Sequence, residues 1–163
     1  MVLKMNVCLT RVIFVTGKPG VGKSTLIRKV SEKIKERGYS VGGMLTTEIR
    51  EDGVRVGFSI IDLESGRMGI LAHIRQDEGP RIGKYKVNLN DLDSVGVKSV
   101  ENAVEKADVV FIDEVGPMEL KSRRFFEALM KAVSSSKPLV ATVHHSLTES
   151  FISNLKLKGG VEV

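Results

Sequence analysis

Residues 17–24 have the types and spacing of a loop that binds a polyphosphate. They read Gly-Lys-Pro-Gly-Val-Gly-Lys-Ser, which fits the pattern Gly-x-x-x-x-Gly-Lys-Ser. Glycines let the backbone curl so that consecutive N–H groups face one anion, and the N-terminus of the following helix adds partial positive charge. In such a loop we expect Lys23 to reach the β- and γ-phosphates and the Ser24 hydroxyl to bind Mg²⁺. The predicted nucleotide-binding residues are Gly17, Lys18, Pro19, Gly20, Val21, Gly22, Lys23, Ser24 and Thr25.

A second pattern further along the chain supplies two adjacent carboxylates. Residues 109–114 read Val-Val-Phe-Ile-Asp-Glu, an apolar run of strand length that ends in acids. We expect Asp113 to bind Mg²⁺ together with Ser24, largely through water. Glu114 follows the metal ligand directly, where it can orient a water molecule and accept its proton; a simpler interpretation makes it a salt-bridge partner. The two patterns therefore predict Lys23 and Glu114 as catalytic residues and Ser24 and Asp113 as metal ligands.

A few further side chains are candidates on weaker grounds. Residues 113–116 also fit the Asp-x-x-Gly switch of small GTPases, but no Asn-Lys-x-Asp guanine-binding motif follows. His144 comes after an apolar strand, where it either contacts the γ-phosphate or bonds to a loop, whereas His145 is expected to face solvent. The arginines that could stabilise charge in the transition state are Arg50, Arg55, Arg75 and Arg81, and the sequence does not choose among them.

The pattern of apolar residues indicates which elements would position these groups. Helical spacing recurs over 21–37, 97–106, 122–134 and 147–155, and continuous apolar runs at 12–15, 109–113 and 139–143 predict buried strands. Because such strands alternate with helices, they are expected to be parallel and covered on both faces. Stretches 41–49, 54–62 and 68–74 predict antiparallel hairpins, 75–84 a loop, and 85–89 and 161–163 short strands. Both motifs fall at the carboxyl edge of the predicted sheet, where ligands of α/β proteins bind.

Size and composition narrow the possible classes of protein. With 163 residues, of which 42% are hydrophobic and 5% aromatic, the chain predicts one domain over 1–163 with an aliphatic core. Its apolar runs are too short for a membrane span and its N-terminus does not resemble a signal peptide, so we expect a cytoplasmic protein without a membrane partner. The single cysteine, Cys8, fits a reducing compartment and is expected to be a small buried residue near the first strand.

The net charge of +5 is unevenly distributed along the chain. Residues 1–50 hold ten Lys or Arg against three Asp or Glu. Such a bias attracts polyanions, but no pattern of interleaved aromatic and basic residues accompanies it. A solvated helix face between Arg28 and Arg37 is the favoured explanation, and nucleic acid is not an expected partner.

Several stretches together resemble a known family. They are residues 17–24, 46–50 (Thr-Thr-Glu-Ile-Arg) with 55–58 (Arg-Val-Gly-Phe), 83–88 (Gly-Lys-Tyr-Lys-Val-Asn) and 111–119 (Phe-Ile-Asp-Glu-Val-Gly-Pro-Met-Glu). In order and spacing they are similar to the small nucleoside-triphosphatases first described from thermophiles, whose animal member is called cancer-related nucleoside triphosphatase. The resemblance implies an α/β, RecA-like P-loop NTPase fold: a mostly parallel sheet flanked by helices, with antiparallel hairpins inserted after the first helix and an extra strand between the two motif-bearing strands.

The resemblance also implies an activity. It is the Mg²⁺-dependent hydrolysis of ATP, GTP, CTP and UTP to diphosphate and phosphate, with loose base selectivity. Lys23 and Ser24 would bind phosphate and metal, Asp113 would position Mg²⁺, and Glu114 would activate water. Members of the family usually continue past a strand like 161–163 into a polar segment with an Asn-Arg pair that would bear on base contacts, whereas this sequence ends at Val163. We expect the protein to act as a monomer.

Two other functions stay open at this point. A nucleotide or nucleoside kinase would use the same loop but needs an acceptor pocket and an arginine-rich lid, for which stretch 75–84 is a candidate. A nucleotide-dependent adaptor protein would fit the basic N-terminal third of the chain. The adjacent Asp113 and Glu114 favour transfer of the phosphoryl group to water over either alternative.

Overall fold

One half of the central sheet is parallel. The computed structural model describes residues 11–156, which form an eight-stranded sheet. Its parallel strands lie in the order β1 (Val12–Gly17), β8 (Leu139–His144), β7 (Val109–Val115) and β2 (Val41–Glu51). The extra strand that the sequence predicts between the two motif-bearing strands is therefore β8. All four strands end at one edge of the sheet, and β1 and β7 deliver both motifs to it.

The other half of the sheet is antiparallel and begins within β2. That strand pairs with β7 from Val41 to Met44 and with β3 (Val54–Asp62) from Met44 to Glu51, so its C-terminal part leaves the parallel half. The sheet continues through β4 (Met68–His73) and β6 (Tyr85–Val87) to β5 (Arg81–Ile82). The β2–β3 hairpin thus rises beyond the carboxyl edge on which the motifs lie.

Helices cover the two faces of the sheet. On one face α1 (Lys23–Glu36) buries Ile27 against Val41, Leu45 and Phe111. On the other, the larger core joins Met44 and further strand residues to the helices that follow β6 and β7. These helices are α2 (Leu89–Asp91), which continues through a π-helical segment (Leu92–Val97) into α3 (Lys98–Lys106), and α4 (Arg123–Ser134). A last helix, α5 (Thr148–Lys156), follows β8. Adjacent residues of one strand, such as Met44 and Leu45, enter opposite cores, as expected for strands covered on both faces.

The predicted α/β, RecA-like class is confirmed, with differences in detail. The sheet is mixed, with three parallel and four antiparallel pairings, because the predicted hairpins join the same sheet. The stretch 89–97 is helical although its polar residues hid the pattern, and the loop predicted over 75–84 contains β5. The run at 12–15 was predicted to be buried but is only partly so: Ile13 of β1 is exposed, because β1 has a paired strand on one side alone within residues 11–156. Leu26 and Phe126, apolar residues of the predicted helices 21–37 and 122–134, are also exposed. Predictions for Cys8 and for a strand at 161–163 fall outside the described residues. None of the helices within 11–156 is long and apolar enough to cross a membrane.

Candidate active site

The glycine-rich loop connects β1 to α1 at the carboxyl edge of the sheet. Gly20 and Gly22 have φ angles of 78° and 102°, in the region that favours glycine, and Gly22 is the residue from which α1 starts. Among residues 11–156, no side chain caps the N-terminus of this helix. The first-turn N–H groups, which a cap would otherwise engage, therefore carry the positive end of the helix dipole at the mouth of the loop.

The Lys23 side chain lies across the loop. Its Nζ donates hydrogen bonds to the carbonyl oxygen of Gly17 at 2.9 Å and to that of Lys18 at 3.4 Å. Lys23, Ser24 and Thr25 line the same cleft, as do the loop residues Pro19, Gly20 and Gly22. Six of the nine predicted nucleotide-binding residues thus line one surface, where an ammonium group and helix N–H groups are available to an anion, whereas Gly17, Lys18 and Val21 do not line the cleft.

The surroundings of the Asp113 carboxylate indicate a cation site. It is 1% exposed, and its Oδ1 accepts a 2.6 Å hydrogen bond from the Thr142 hydroxyl of β8. Its Oδ2 is buried and has no hydrogen-bond partner in the part of the chain that the structure describes. A buried carboxylate oxygen left without a partner is costly unless a cation compensates it, and oxygen donors are the ligands that Mg²⁺ prefers. Asp113 and the Ser24 hydroxyl of the same cleft therefore fit a bound Mg²⁺.

Two further carboxyl groups lie next to Asp113. Burial raises the pKa of Glu114, which Asp113 raises further and the Lys23 ammonium opposes. Glu119, in a short 3₁₀ turn (Glu119–Lys121) after β7, is 3% exposed, and burial raises its pKa to about 8. Both carboxyl groups approach Gly116, since a methyl group there would lie 2.7 Å from Oε2 of Glu119 and 3.3 Å from Oε1 of Glu114. Glu119 is therefore a neutral acid beside Glu114 at pH 7.

These groups line a cleft of about 730 Å³, within the size range of small-molecule sites. Its near end is formed by the loop, Asp113, Glu114 and His144. Its far end is formed by the antiparallel half of the sheet and by the residues that follow β7: Thr46, Thr47, Glu48, Arg55, Phe58, Leu71, Ile82, Gly83, Tyr85, Pro117 and Met118. Glu119 lines the cleft beside Asp113 and Glu114. Arg28 of α1 also contributes. The loop and the pattern at 109–114 located the near end, whereas the family resemblance marked most of the far end without giving its residues, apart from the candidate Arg55, a role.

Of the four candidate arginines, Arg55 alone lines the cleft as the structure describes it. Its guanidinium donates to Glu48 at 2.9 Å and to the Tyr85 hydroxyl at 3.0 Å. Arg50 binds the other oxygen of Glu48 and the carbonyl of Gly53, and Arg75 forms an ion pair with Glu51. Arg81 is exposed. The structure thus separates candidates that the sequence left equivalent.

The two adjacent histidines have different environments. His144 lines the cleft, and its Nδ1 lies 2.7 Å from the Ser146 hydroxyl. Burial lowers the pKa of His144, and His145 and Lys23 lower it further. The bond to a loop that the sequence predicts is therefore present, and contact of His144 with the γ-phosphate stays a prediction. His145 is exposed, as the sequence predicts.

Comparison with known proteins gives consistent matches. Residues 12–163 match the family model described as NTPase. The chain is 49% identical over 139 residues to the nucleoside-triphosphatase THEP1 of Methanocaldococcus jannaschii, covering 85% of this chain and 81% of that protein. It is 52% identical over 135 residues to the THEP1 of Methanosarcina acetivorans, covering 82% and 76% of the two chains.

Two solved structures resemble this one over most of their length. The crystal structure of THEP1 from Aquifex aeolicus has a TM-score of 0.76 at 28% identity, covering 92% of this chain and 86% of that one. The solution structure of a human cancer-related nucleoside triphosphatase has a TM-score of 0.76 at 33% identity, covering 94% and 87%.

Proposed function

We propose a specific reaction for this chain, which belongs to the NTPase family and is a nucleoside-triphosphate hydrolase. The reaction is Mg²⁺-dependent hydrolysis of ATP, GTP, CTP and UTP to the diphosphate and phosphate. The observation that carries it is the buried Oδ2 of Asp113, which has no hydrogen-bond partner within residues 11–156 and belongs to the residue before Glu114 in the cleft that the phosphate loop lines. An oxygen so placed favours a metal-bound polyphosphate over a neutral ligand.

The near end of the cleft supplies the groups that hold the triphosphate. Backbone N–H groups of residues 17–25 and the Lys23 ammonium bind its oxygens. Ser24 and Asp113 would hold Mg²⁺, which when bound neutralises charge on the β- and γ-phosphates. Thr142 holds the Asp113 carboxylate by donating to Oδ1, which would leave Oδ2 available to a cation.

Glu114 acts on the nucleophile. It orients a water molecule for attack on the γ-phosphorus and takes its proton as the bond to the leaving diphosphate oxygen breaks. The pKa of Glu114 is raised by burial and opposed by Lys23. A raised pKa makes the carboxylate a stronger base, provided that it stays ionised at the working pH.

Loose base selectivity follows from where the binding groups lie. The loop, Lys23, Ser24 and Asp113 all act on the triphosphate and metal, which the four nucleotides share. We further propose that the protein works as a monomer in the cytoplasm, where its single cysteine suits a reducing environment.

The test is phosphate release from the four nucleotides with Mg²⁺, for the natural chain and Glu114→Gln, with nucleotide affinity measured in parallel. We expect all four to be hydrolysed, and the variant to keep its affinity while losing about 10²-fold or more in rate. Glu105→Gln, on the exposed face of α3, is the matched control and should retain the natural rate. Natural turnover by Glu114→Gln would remove Glu114 from the mechanism, and lack of phosphate release by the natural chain would refute the reaction.

A further inference from the structure

Arg28 of α1 lies in the cleft, and the proposed reaction gives it no task. The residue is partly buried and lines the cleft with Lys23, Ser24 and Thr25, whereas the residues that follow it on α1 do not line the cleft. It comes four residues after Ser24, a spacing that puts two side chains on one face of a helix. Arg28 therefore belongs to the face of α1 on which the phosphate loop opens.

The Arg28 guanidinium is not engaged by another side chain in the part of the protein that the structure describes. Glu32 has the i, i+4 spacing at which helical residues form ion pairs, yet the described ion pairs include none between the two. Arg55, the other arginine of the cleft lining, is bound to Glu48 at 2.9 Å. Arg28 thus brings to the cleft a positive charge that no described carboxylate neutralises, which a solvated helix face does not explain.

The direction of side chains on a helix brings Arg28 toward the phosphate loop. Side chains of an α-helix lean toward its N-terminus and cover the preceding turn. For Arg28 that turn contains Ser24 and Thr25, and α1 begins at Lys23. The Arg28 side chain therefore lies toward the end of α1 where the Lys23 ammonium and the first N–H groups of the helix are available to an anion.

The charges of the bound state also favour another cation at this end of the cleft. A nucleoside triphosphate brings several negative charges, and Asp113 and Glu114 add carboxylates to the same cleft. Lys23 and one Mg²⁺ do not neutralise all of them. A guanidinium supplies a permanent positive charge and a planar pair of donors that matches the oxygens of a phosphate.

We infer that Arg28 is a further binding residue for the nucleotide and that its guanidinium donates hydrogen bonds to oxygens of the phosphate chain. The contact is with a part that all four nucleotides share, so it acts on each of them alike. The inference rests on the proposed function, because it assigns one more contact to the same bound triphosphate.

The experiment compares a non-hydrolysable imido analogue of ATP with inorganic tripolyphosphate, which has the phosphate chain but neither base nor sugar. Calorimetric titration at a fixed concentration of free Mg²⁺ gives both affinities for the natural chain, Arg28→Ala and Arg28→Gln. We expect each variant to bind both ligands about 10- to 100-fold more weakly, because a charged donor is lost. Arg28→Lys keeps the charge without the planar fork and should bind both ligands with intermediate affinity.

The matched control is Lys29→Ala, which removes the same unit of charge one residue further along α1. Lys29 is exposed and does not line the cleft, so this variant should bind both ligands within about twofold of the natural chain. An equal loss in Lys29→Ala would overturn the assignment, because general attraction by a basic helix would then explain the effect. Thermal unfolding of each variant checks that it is folded, as expected for changes at side chains that are at most partly buried.

The remaining outcomes separate the inference from the proposed function. Natural affinity for both ligands in Arg28→Ala and Arg28→Gln would overturn the role of Arg28 and leave the hydrolase intact. A loss for the ATP analogue alone would also overturn it, because Arg28 would then act on the base or the sugar. Failure of the natural chain to bind either ligand would refute the proposed function, and the inference with it.

Discussion

The two halves of the sheet differ in what their sequence reveals. In the parallel half, β7 and β8 are largely buried, and β1, β7 and β8 carry Gly17, Asp113 and His144 at the edge of the sheet. In the antiparallel half, β2 and β3 present Thr46, Glu48, Arg55 and Phe58 to the same cleft from within the strands rather than from their ends. The first half has a motif because phosphate and metal chemistry prescribes residue types and spacing. In the second half, stretches 46–50, 55–58 and 83–88 carry a resemblance to a family, but no general rule of residue type and spacing states what such a surface binds.

The largest expected effect is in the parallel half. Replacing Lys23 with alanine removes the ammonium group that bridges the loop carbonyls and faces the cleft. We expect kcat/KM for ATP hydrolysis to fall by about 10³-fold and ATP to bind more weakly, because one preorganised charged donor is lost. Steady-state kinetics and direct titration with ATP measure both quantities. Tight binding of Mg²⁺-ATP by the variant would contradict the difference drawn between the two halves, because the half with the motif would not then hold the phosphates.

A smaller effect is expected when the metal ligand alone is changed. Asp113→Asn keeps the shape of the side chain and the acceptor for Thr142 but removes the charge that favours a divalent cation. The Mg²⁺ concentration for half-maximal hydrolysis should rise roughly 10- to 100-fold, with a smaller change in maximal rate at saturating metal. A magnesium titration at saturating ATP gives the answer. An unchanged midpoint would mean that the buried Oδ2 has another purpose.

For Glu119, in the turn after β7, we predict an effect on stability. Its folded-state pKa of about 8 lies above the ordinary value of 4.5, so the folded protein keeps a proton that the unfolded chain releases. The free energy of unfolding should therefore fall as the pH rises from about 4.5 to about 8, no more steeply than about 1.4 kcal/mol per pH unit.

Glu119→Gln is the control, because a neutral amide has no proton to release. Denaturant unfolding of both proteins between pH 5 and pH 8 isolates this contribution as the difference of their slopes. Parallel curves would show that the carboxyl is ionised in the folded protein, in contradiction to its burial.

The smallest effect is expected in the antiparallel half. Arg75 pairs with Glu51 away from the cleft, and its side chain is 65% exposed. Arg75→Ala should change hydrolysis less than about twofold and stability by less than about 1 kcal/mol, because exposed pairs contribute little. An arginine that stabilised the transition state would cost about 10³-fold. A loss of that size would contradict this expectation and would give the antiparallel half a catalytic role.

The same contrast explains how far the sequence could go. The loop, the strand ending in Asp113 and Glu114, and the α/β class were predictable because backbone geometry and charge there permit few alternatives. Glu119 belongs to the stretch 111–119 that carries the family resemblance, but its burial was not predictable, since glutamate is usually exposed and this one is buried by a turn after β7. Choosing Arg55 from four arginines required the pairing of β2 with β3, and the position of Tyr85 required the return of the chain through β4 and β6. Contacts between residues far apart in sequence decided each of these.

The position of β1 in the sheet bears on how the protein can be made. Within residues 11–156, β1 pairs with β8 alone, so the first described strand is completed by the last. The intervening hairpins can form locally as the chain leaves the ribosome, but the loop after β1 gains its supporting strand only when residues 139–144 have emerged. A nascent chain would thus acquire its nucleotide affinity late in synthesis, after most of the wall opposite the loop is in place.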